Sequence, residues 1–562
     1  MFKSTHKAAK DLITGLNADE DDVTTLPNHF LPESYSFEDL YRELVKEIVK
    51  GKDEEIENII ILASCLEHKS DAVLAADDGK WCEKLKDYLS ETILPDGKVY
   101  SLDETDDKAF KIKQYRFKYT LCMVSISRLL ELSPNPSSSP PKNSTLLSLI
   151  PYTTTKNPWT TSQSQRIAAA ILEKHDLYIK SPEFLVTHLL QSFIRPIFSK
   201  TPAPKSVTAS SRKAAPSSAP PRHFDIRELS PSRQPWRSNI PYTIPILQWI
   251  IEYIPSDLLR TQAFPLLIPP LLTLLDSPSN SIRIRTLQLL PTLFSKMGDK
   301  LLLQTGLGDV FEDAIHPVLL FLPSITPVED TLSLLLVGYH ALYALYDTRW
   351  PSTKDEETGT RELTLSINKP SKPTNPTSKS PTHLRLAFLD RIIRHAILPA
   401  HLHCQEIPSV VQILISQLGI CISKMGIWGV KHLKDILPII TNILMNPFLP
   451  RASPSLIIET LNTLREIILV LWPRISFDVH RLIILQALAL LHGNVGTELA
   501  DASEDEAIKN TQGEIMKGLR QTARVFVVAV KGTEDEDVKG IFEEELDSVI
   551  EANGDLATLF RF

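Results

Sequence analysis

Apolar side chains recur at three- and four-residue spacing along most of this chain, and that period predicts helices nearly throughout. In Leu40-Tyr41-Leu44-Val45-Ile48-Val49 they fall on one face. Ser36 and the acidic pair Glu38 and Asp39 stand at its start, where an oxygen cap and negative charge favour a helix N-terminus. The same period runs through residues 56–66, 81–93 and 110–132, and again through 163–174 and 182–199. Residues 241–350 are densely apolar. Long amphipathic patterns return at 410–424, 429–446, 455–472 and 479–492. Two more helices are expected at 504–530 and 534–551. Inside the first, residues 525–530 look like a strand; being short and set among helices, they are read as buried helix.

Residues 271–290, LLTLLDSPSNSIRIRTLQLL, say how such helices connect. An apolar helix stops at Asp276-Ser277-Pro278 and a second opens at Ile282-Arg283. Pro278 lacks an N–H and restricts the residue before it, so it helps end the first helix. Ser279, Asn280 and Ser281 can each cap the second. Asp276 and Arg283 are placed to pair across the turn or with a neighbouring hairpin. One hairpin cannot bury its own apolar face, so the unit implies stacked neighbours of HEAT type. An ordinary αα-hairpin of a globular helical protein is the alternative. The expected fold is all-α: an α-solenoid of irregular HEAT-like helical hairpins with disordered linkers.

Composition shifts divide the chain. Residues 1–35 read as a flexible N-terminus, and 36–199 as an N-terminal helical region with a Pro/Ser linker at 133–144. Residues 200–239, basic and rich in Pro, Ser and Ala, have few apolar groups to offset the entropy of ordering and are expected to be a disordered tether. Residues 240–500 form the HEAT-like region, interrupted by a polar insertion at 352–382. Residues 501–562 hold the last helices and a tail, LATLFRF, whose Leu556, Leu559, Phe560 and Phe562 are candidates for docking on the chain itself or on a partner.

At 562 residues the chain exceeds what one compact core accommodates. Glycine is scarce, at 19, which disfavours phosphate-cradling loops and tight-turned β architecture. A net charge of −8 argues against nucleic acid as the main partner. Five cysteines without close spacing read as reduced core thiols. The N-terminus lacks the apolar core of a secretory signal, and no stretch reads as the roughly 20 apolar residues of a membrane span. The expectation is a soluble intracellular protein without a membrane partner.

Enzymatic chemistry finds no support in the motifs. Gly306-Leu307-Gly308 lacks the order of a phosphate-binding loop, and neither a nucleophile elbow nor a kinase signature is present. His401, His403 and Cys404 are the best metal candidates, but three close donors without a second cluster are explained more simply as interhelical polar groups. His316, before Pro317, reads as a residue at a helix start. No metal and no cofactor are expected. Ser139 (before Pro140-Pro141-Lys142), Ser230 (before Pro231) and Ser503 (before Glu504-Asp505-Glu506) are candidate phosphosites, each adding about −1.5 to −2 charge if modified.

After the hairpin comes LLQTGLGDVFEDAI, residues 302–315, and then PVLLFLPSITP, residues 317–327. This block resembles the Tti-two family, the Tel-two-interacting proteins. In that family an arginine-bearing helix leads to a TGL-x-x-VF block, an LP-x-x-TP turn and a helix with tyrosine and leucines. The matching residues here are Arg283, Thr305, Gly306, Leu307, Val310, Phe311, Leu322, Pro323, Thr326 and Pro327, with Tyr339 and Leu342 in the helix that follows. Gly429 to Pro438 is similar to a later repeat helix of the family, and Trp472-Pro473-Arg474-Ile475 to its Trp-Pro-Arg-Ile turn. On their own chemistry these residues are structural. Thr305 can cap a helix over 308–321, Gly306 permits a restricted backbone, and Thr326 with Pro327 can start the next helix.

The resemblance implies a non-enzymatic subunit of the Triple-T co-chaperone complex. Its implied partners are a Tti-one-like large HEAT protein and a Tel-two-like subunit. Through them it would serve the ninety-kilodalton chaperone system in maturing phosphatidylinositol-kinase-related protein kinases, in cytoplasm and nucleus. A HEAT-type adaptor in nuclear transport or trafficking would share the architecture.

Overall fold

Helices account for nearly all of the regular structure in the computed structural model, which describes residues 2–14, 25–45, 54–69, 78–100, 106–132, 140–199, 201, 204–215, 234–238, 240–351, 381–501, 506–533 and 535–561. The chain forms two units: residues 1–276 with 292–310, and residues 277–291 with 311–562. Among the described residues the only β pairing is an isolated bridge, Val207 to Lys213. The fold is all-α, as the apolar period predicts.

In the first unit α1 (Lys3–Thr14) packs on α2 (Glu54–Glu67), and α2 packs on α4 (Asp106–Glu131). Helix α3 (Asp78–Thr92) lies on the same α4, which also meets α6 (Ser162–Lys174). Between them α5 (Asn143–Leu149) packs on α3. Thr161 and Ser164 close a capping box at the start of α6, so two N–H groups that a helix end leaves open are satisfied. The unit continues with α7 (Glu183–Ile194), wound in wide π turns, then α8 (Thr243–Tyr253) and α9 (Phe264–Leu275). Helix α10 (Asn280–Thr305) has residues in both units, as does α11 (Leu307–Ile315).

Two expectations for this unit change. Residues 1–35 include a folded part: Phe2 and Ala9 are buried, Thr5 donates to the Phe30 carbonyl at 2.9 Å, and Leu26 N–H donates to Ser64 Oγ at 2.9 Å. A few well-spaced apolar groups suffice once α2 supplies the other face. Within 200–239, residues 204–215 form a small hairpin held on the unit. Ser211 Oγ donates to the Pro265 carbonyl (2.8 Å), and Lys213 N–H donates to the Thr305 carbonyl (2.9 Å). Pro235–Ser238 is a helical turn with Trp236 buried against Phe198. Backbone bonds and one ring order these segments where apolar content does not.

The second unit contains α12 (Val328–Arg349), α13 (Pro381–Ile392), α14 (Leu398–Cys404), α15 (Pro408–Met425) and α16 (Leu433–Met445). After these come α17 (Pro454–Ile475), α18 (Asp478–Asp501), α19 (Glu506–Lys531), α20 (Glu536–Ala552) and the short α21 (Ala557–Phe560). Alternate helices pack together. One layer runs α12, α15, α17, α19, and behind it α16 meets α18. That i to i+2 helix pairing is what stacked hairpins produce. Proline opens α15 and α17 at their first positions, where its missing N–H costs nothing. Gly426, at φ +61°, ends α15. Close approach in the front layer depends on Gly419: a Cβ there would lie 3.2 Å from Thr463 Oγ1. That hydroxyl donates to the Ile415 carbonyl at 3.1 Å.

Residues 256–275 and 408–445 are each long and apolar enough to cross a membrane, contrary to the expectation that no stretch is. Each is half-buried within the fold, and the second is interrupted at Gly426, where a 3₁₀ segment runs to His432. They are core helices in composition and placement.

Candidate functional site

The family-like block organises the ends of hairpins. Helix α10 starts at Asn280, two residues before the expected Ile282, because Ser279 already supplies the first carbonyl, accepting from Arg283 N–H at 3.1 Å. Arg283, only 9% exposed, lies with its guanidinium carbon 4.1 Å from the centre of the Phe321 ring and donates to Asn280 Oδ1 at 3.1 Å. Asn280 in turn donates to Asp330 Oδ2 at 3.0 Å. Asp276 stands exposed at the end of α9.

Thr305 closes α10 by donating to the Leu301 carbonyl at 2.6 Å, and its Oγ1 also accepts from Leu307 N–H at 3.4 Å. Gly306 follows at φ +68°, a conformation that costs other residues. Helix α11 runs over Leu307–Ile315 and tightens to a 3₁₀ turn at His316–Leu320, where Pro317 removes an N–H; the expected span was 308–321. Leu307, Val310, Phe311 and Ile315 are buried, as is Leu322, while Pro323 is half-buried. Thr326 is buried but makes no cap: α12 opens behind Pro327, whose carbonyl accepts from Thr331 N–H at 2.9 Å.

Beside this turn Glu312 is held by two arginines from later helices. Its carboxylate accepts from Arg349 at 3.2 Å and Arg391 at 3.1 Å, and Arg391 also reaches Asp313 at 2.7 Å. His316 is buried next to this cluster. Burial, and after it the Arg391 charge, lowers its pKa to about 4. This is an internal brace between hairpins.

The Trp472-Pro473-Arg474-Ile475 sequence is not a turn. It forms the last helical turn of α17, after a kink at Leu471 that Pro473 imposes by lacking an N–H. Arg474 lies over the Phe477 ring at 5.5 Å, and Trp472 is 40% exposed. The tail is also placed differently from a free anchor: Leu556, Leu559 and Phe560 are buried, and α21 packs on α19. They close this unit's own core instead of standing open to a partner. Phe562, Ser139, Ser230 and Ser503 lie outside the described residues. His403 is exposed on α14 while Cys404 is buried, and among the described residues no group of three or more donors is placed to hold a metal. All five cysteines are free and buried.

One surface feature was not singled out in the sequence. Between α17 and α19 lies a groove of about 430 Å³, with Leu469 and Trp472 on one wall, Arg524, Val525 and Val528 on the other, and Gly532 at one end. Leu469 is 58% and Val528 60% exposed, and with Trp472 they line one contiguous apolar groove instead of standing singly. The signal was present: in the apolar run 525–530 the helical period buries Phe526, Val527 and Val530 and turns Val528 outward. Lys517, Arg520 and Arg524 lead up to Val528 at three- and four-residue spacing, all exposed, so the apolar floor has a cationic approach. From α17, Arg465 reaches across to Gln521 Oε1 at 2.6 Å.

No curated protein matches the chain closely enough to be named as a relative. The model of the Tti2 family matches residues 145–451, more than half of the sequence, including the 302–327 block and the first layers of the second unit. This chain therefore belongs to the Tti2 family.

Proposed function

We propose that this protein is a non-enzymatic scaffold subunit of a Triple-T-type co-chaperone complex. The observation that carries the reading is the family match over residues 145–451. The layered helices support it, since stacked hairpins offer a long side-chain surface to extended partners. In this reading the chain holds a Tti-one-like large HEAT protein and a Tel-two-like subunit. Through them it serves the ninety-kilodalton chaperone system in maturing phosphatidylinositol-kinase-related kinases, in the cytoplasm and nucleus. It supplies no catalytic group; its contribution is position, with affinity concentrated in a few apolar and arginine anchors.

The test is purification of the tagged full chain from its own cells at moderate salt, with stoichiometric partners identified by mass spectrometry. Recovery of one very large helical-repeat protein and a Tel-two-like subunit is the expected outcome. Recovery of importins or coat proteins in their place would overturn the reading in favour of a transport adaptor.

A further inference from the structure

We propose that the groove between α17 and α19 receives an acidic amphipathic helix of a protein partner. It lies beyond residue 451, outside the family-matched segment, so the match assigns it nothing. The inference deepens the scaffold reading and rests on it only in supposing that the occupant is a protein.

Three observations select this occupant. The first is shape. The site is concave, its volume of about 430 Å³ falls in the range that holds a ligand's apolar groups, and its walls are two packed helices. A helix laid along such a cleft inserts side chains at i, i+3, i+4 and i+7.

The second is chemistry. Leu469, Trp472, Val525 and Val528 make an apolar lining with an indole at its edge, the composition of a recognition core. The third is charge. Lys517, Arg520 and Arg524 form an exposed cationic line on α19 that ends at Val528, although the protein as a whole carries −8. Glu466 on α17 stands one turn before Leu469, and Glu506 and Glu514 on α19 precede Lys517; none of these exposed acids lines the groove, whereas Arg524 does. Cationic groups beside an apolar cleft favour an approaching helix with carboxylates on its flanks.

The experiment measures fluorescence anisotropy of a labelled synthetic peptide of about 18 residues, long enough for helix. It carries leucines at i, i+3, i+4 and i+7 and glutamates elsewhere. The controls are a lysine-for-glutamate version and a scrambled version, each titrated with the full chain. Saturable binding of the acidic peptide alone is expected. Val528→Glu should weaken it at least about tenfold, the scale of a hot-spot loss. The pair Arg520→Glu and Arg524→Glu should weaken it too and raise affinity for the lysine version. All three positions are exposed, so the fold should hold by circular dichroism. Equal binding of all peptides, or indifference to both variants, would overturn the proposal.

Two other outcomes would also overturn it: a dimer in sedimentation velocity that Val528→Glu abolishes, or flotation with phosphatidylserine vesicles that it abolishes. The scaffold reading is separable from all of these. If Val528→Glu loses the peptide while the large partner still co-purifies, the groove is real and the subunit reading stands. If the peptide binds but no such partner is recovered, the scaffold reading fails alone.

Discussion

Arg481 holds Glu545 with one edge of its guanidinium: Nε donates to Oε2 at 2.7 Å and Nη2 to Oε1 at 2.7 Å. Its remaining edge donates from Nη1 to the Ser476 carbonyl at 2.8 Å. The arginine is fully buried and the glutamate nearly so, at 0% and 17% side-chain exposure. This fork ties α18 to α20 and fixes the C-terminal hairpin to its neighbour. Planar bidentate geometry is available to arginine and not to lysine.

Removing one partner leaves the other charge largely out of water, which costs about 3–5 kcal/mol at buried pairs. Arg481→Ala should therefore destabilise the second unit by about 3 kcal/mol, near the low end because Glu545 retains some solvent. Hydrogen exchange should show the loss in the amides of Glu536–Ala552 first. Arg481→Lys should restore little. Unchanged protection in α20 for Arg481→Ala would show that apolar packing alone holds the hairpin.

Arg283 allows a finer test. Its stacking on Phe321 and its bond to Asn280 combine a cation–π contact, worth up to about 2 kcal/mol when desolvated, with one charge-assisted hydrogen bond. Arg283→Ala should cost about 2 kcal/mol in denaturant unfolding, and a double-mutant cycle with Phe321→Leu should give a coupling energy of at least about 0.5 kcal/mol. A loss near zero would place the arginine among ordinary surface ion pairs.

These two arginines also mark what was legible in the sequence. The 3.6-residue period located α15, α17 and α19 to within a few residues, because burial of one helix face against a neighbour is written into apolar spacing. Local backbone chemistry was legible at Gly306, whose positive φ follows from its neighbours. What spacing does not encode is the identity of distant partners. Spacing sets Arg283 near Asp276, but it says nothing of the Phe321 ring on which the guanidinium stacks. The tail was read as docking, but whether it docks on α19 or on a partner depends on geometry some tens of residues away. Residues 204–215 were read as disordered because Val207 is nearly their only apolar group; their order comes from Thr305, Asp309 and Pro265. The Trp-Pro-Arg stretch was read as a turn, since a proline that kinks a helix at its last turn and one that ends it look alike.

The 204–215 hairpin makes Gly306 testable. Lys213 Nζ reaches Asp309 at 2.7 Å, and a Cβ on Gly306 would lie 2.9 Å from Lys213 Cβ. Gly306→Ala therefore adds a clash to the cost of positive φ, about 1–2 kcal/mol for a non-glycine residue. The hairpin should yield before the helices do. Limited trypsinolysis should cut after Arg212 or Lys213 several-fold faster in the variant, with the helical circular dichroism unchanged. Equal cleavage rates would mean the hairpin is not held by this contact.

His316 predicts the acid side of stability. Its ring is buried, and Arg391, Asp313 and His395 are the charged or titratable groups bearing on it. Burial disfavours the imidazolium and Arg391 adds repulsion, so the folded-state pKa falls from 6.5 to about 4. Between those values the unfolded chain binds the proton and the folded one does not. Stability from this group is therefore complete above pH 6.5 and is lost as pH falls toward about 4. Carboxylates elsewhere titrate mainly at the lower end of that window. His175, His188, His401, His432, His480 and His492 are also lowered by burial, so the share of His316 is the difference in slope across the window between the parent chain and a His316 variant. His316→Asn should flatten the decline of the denaturant midpoint there while lowering the midpoint at neutral pH through imperfect packing. A decline of the same slope in the variant would assign the acid sensitivity to another group.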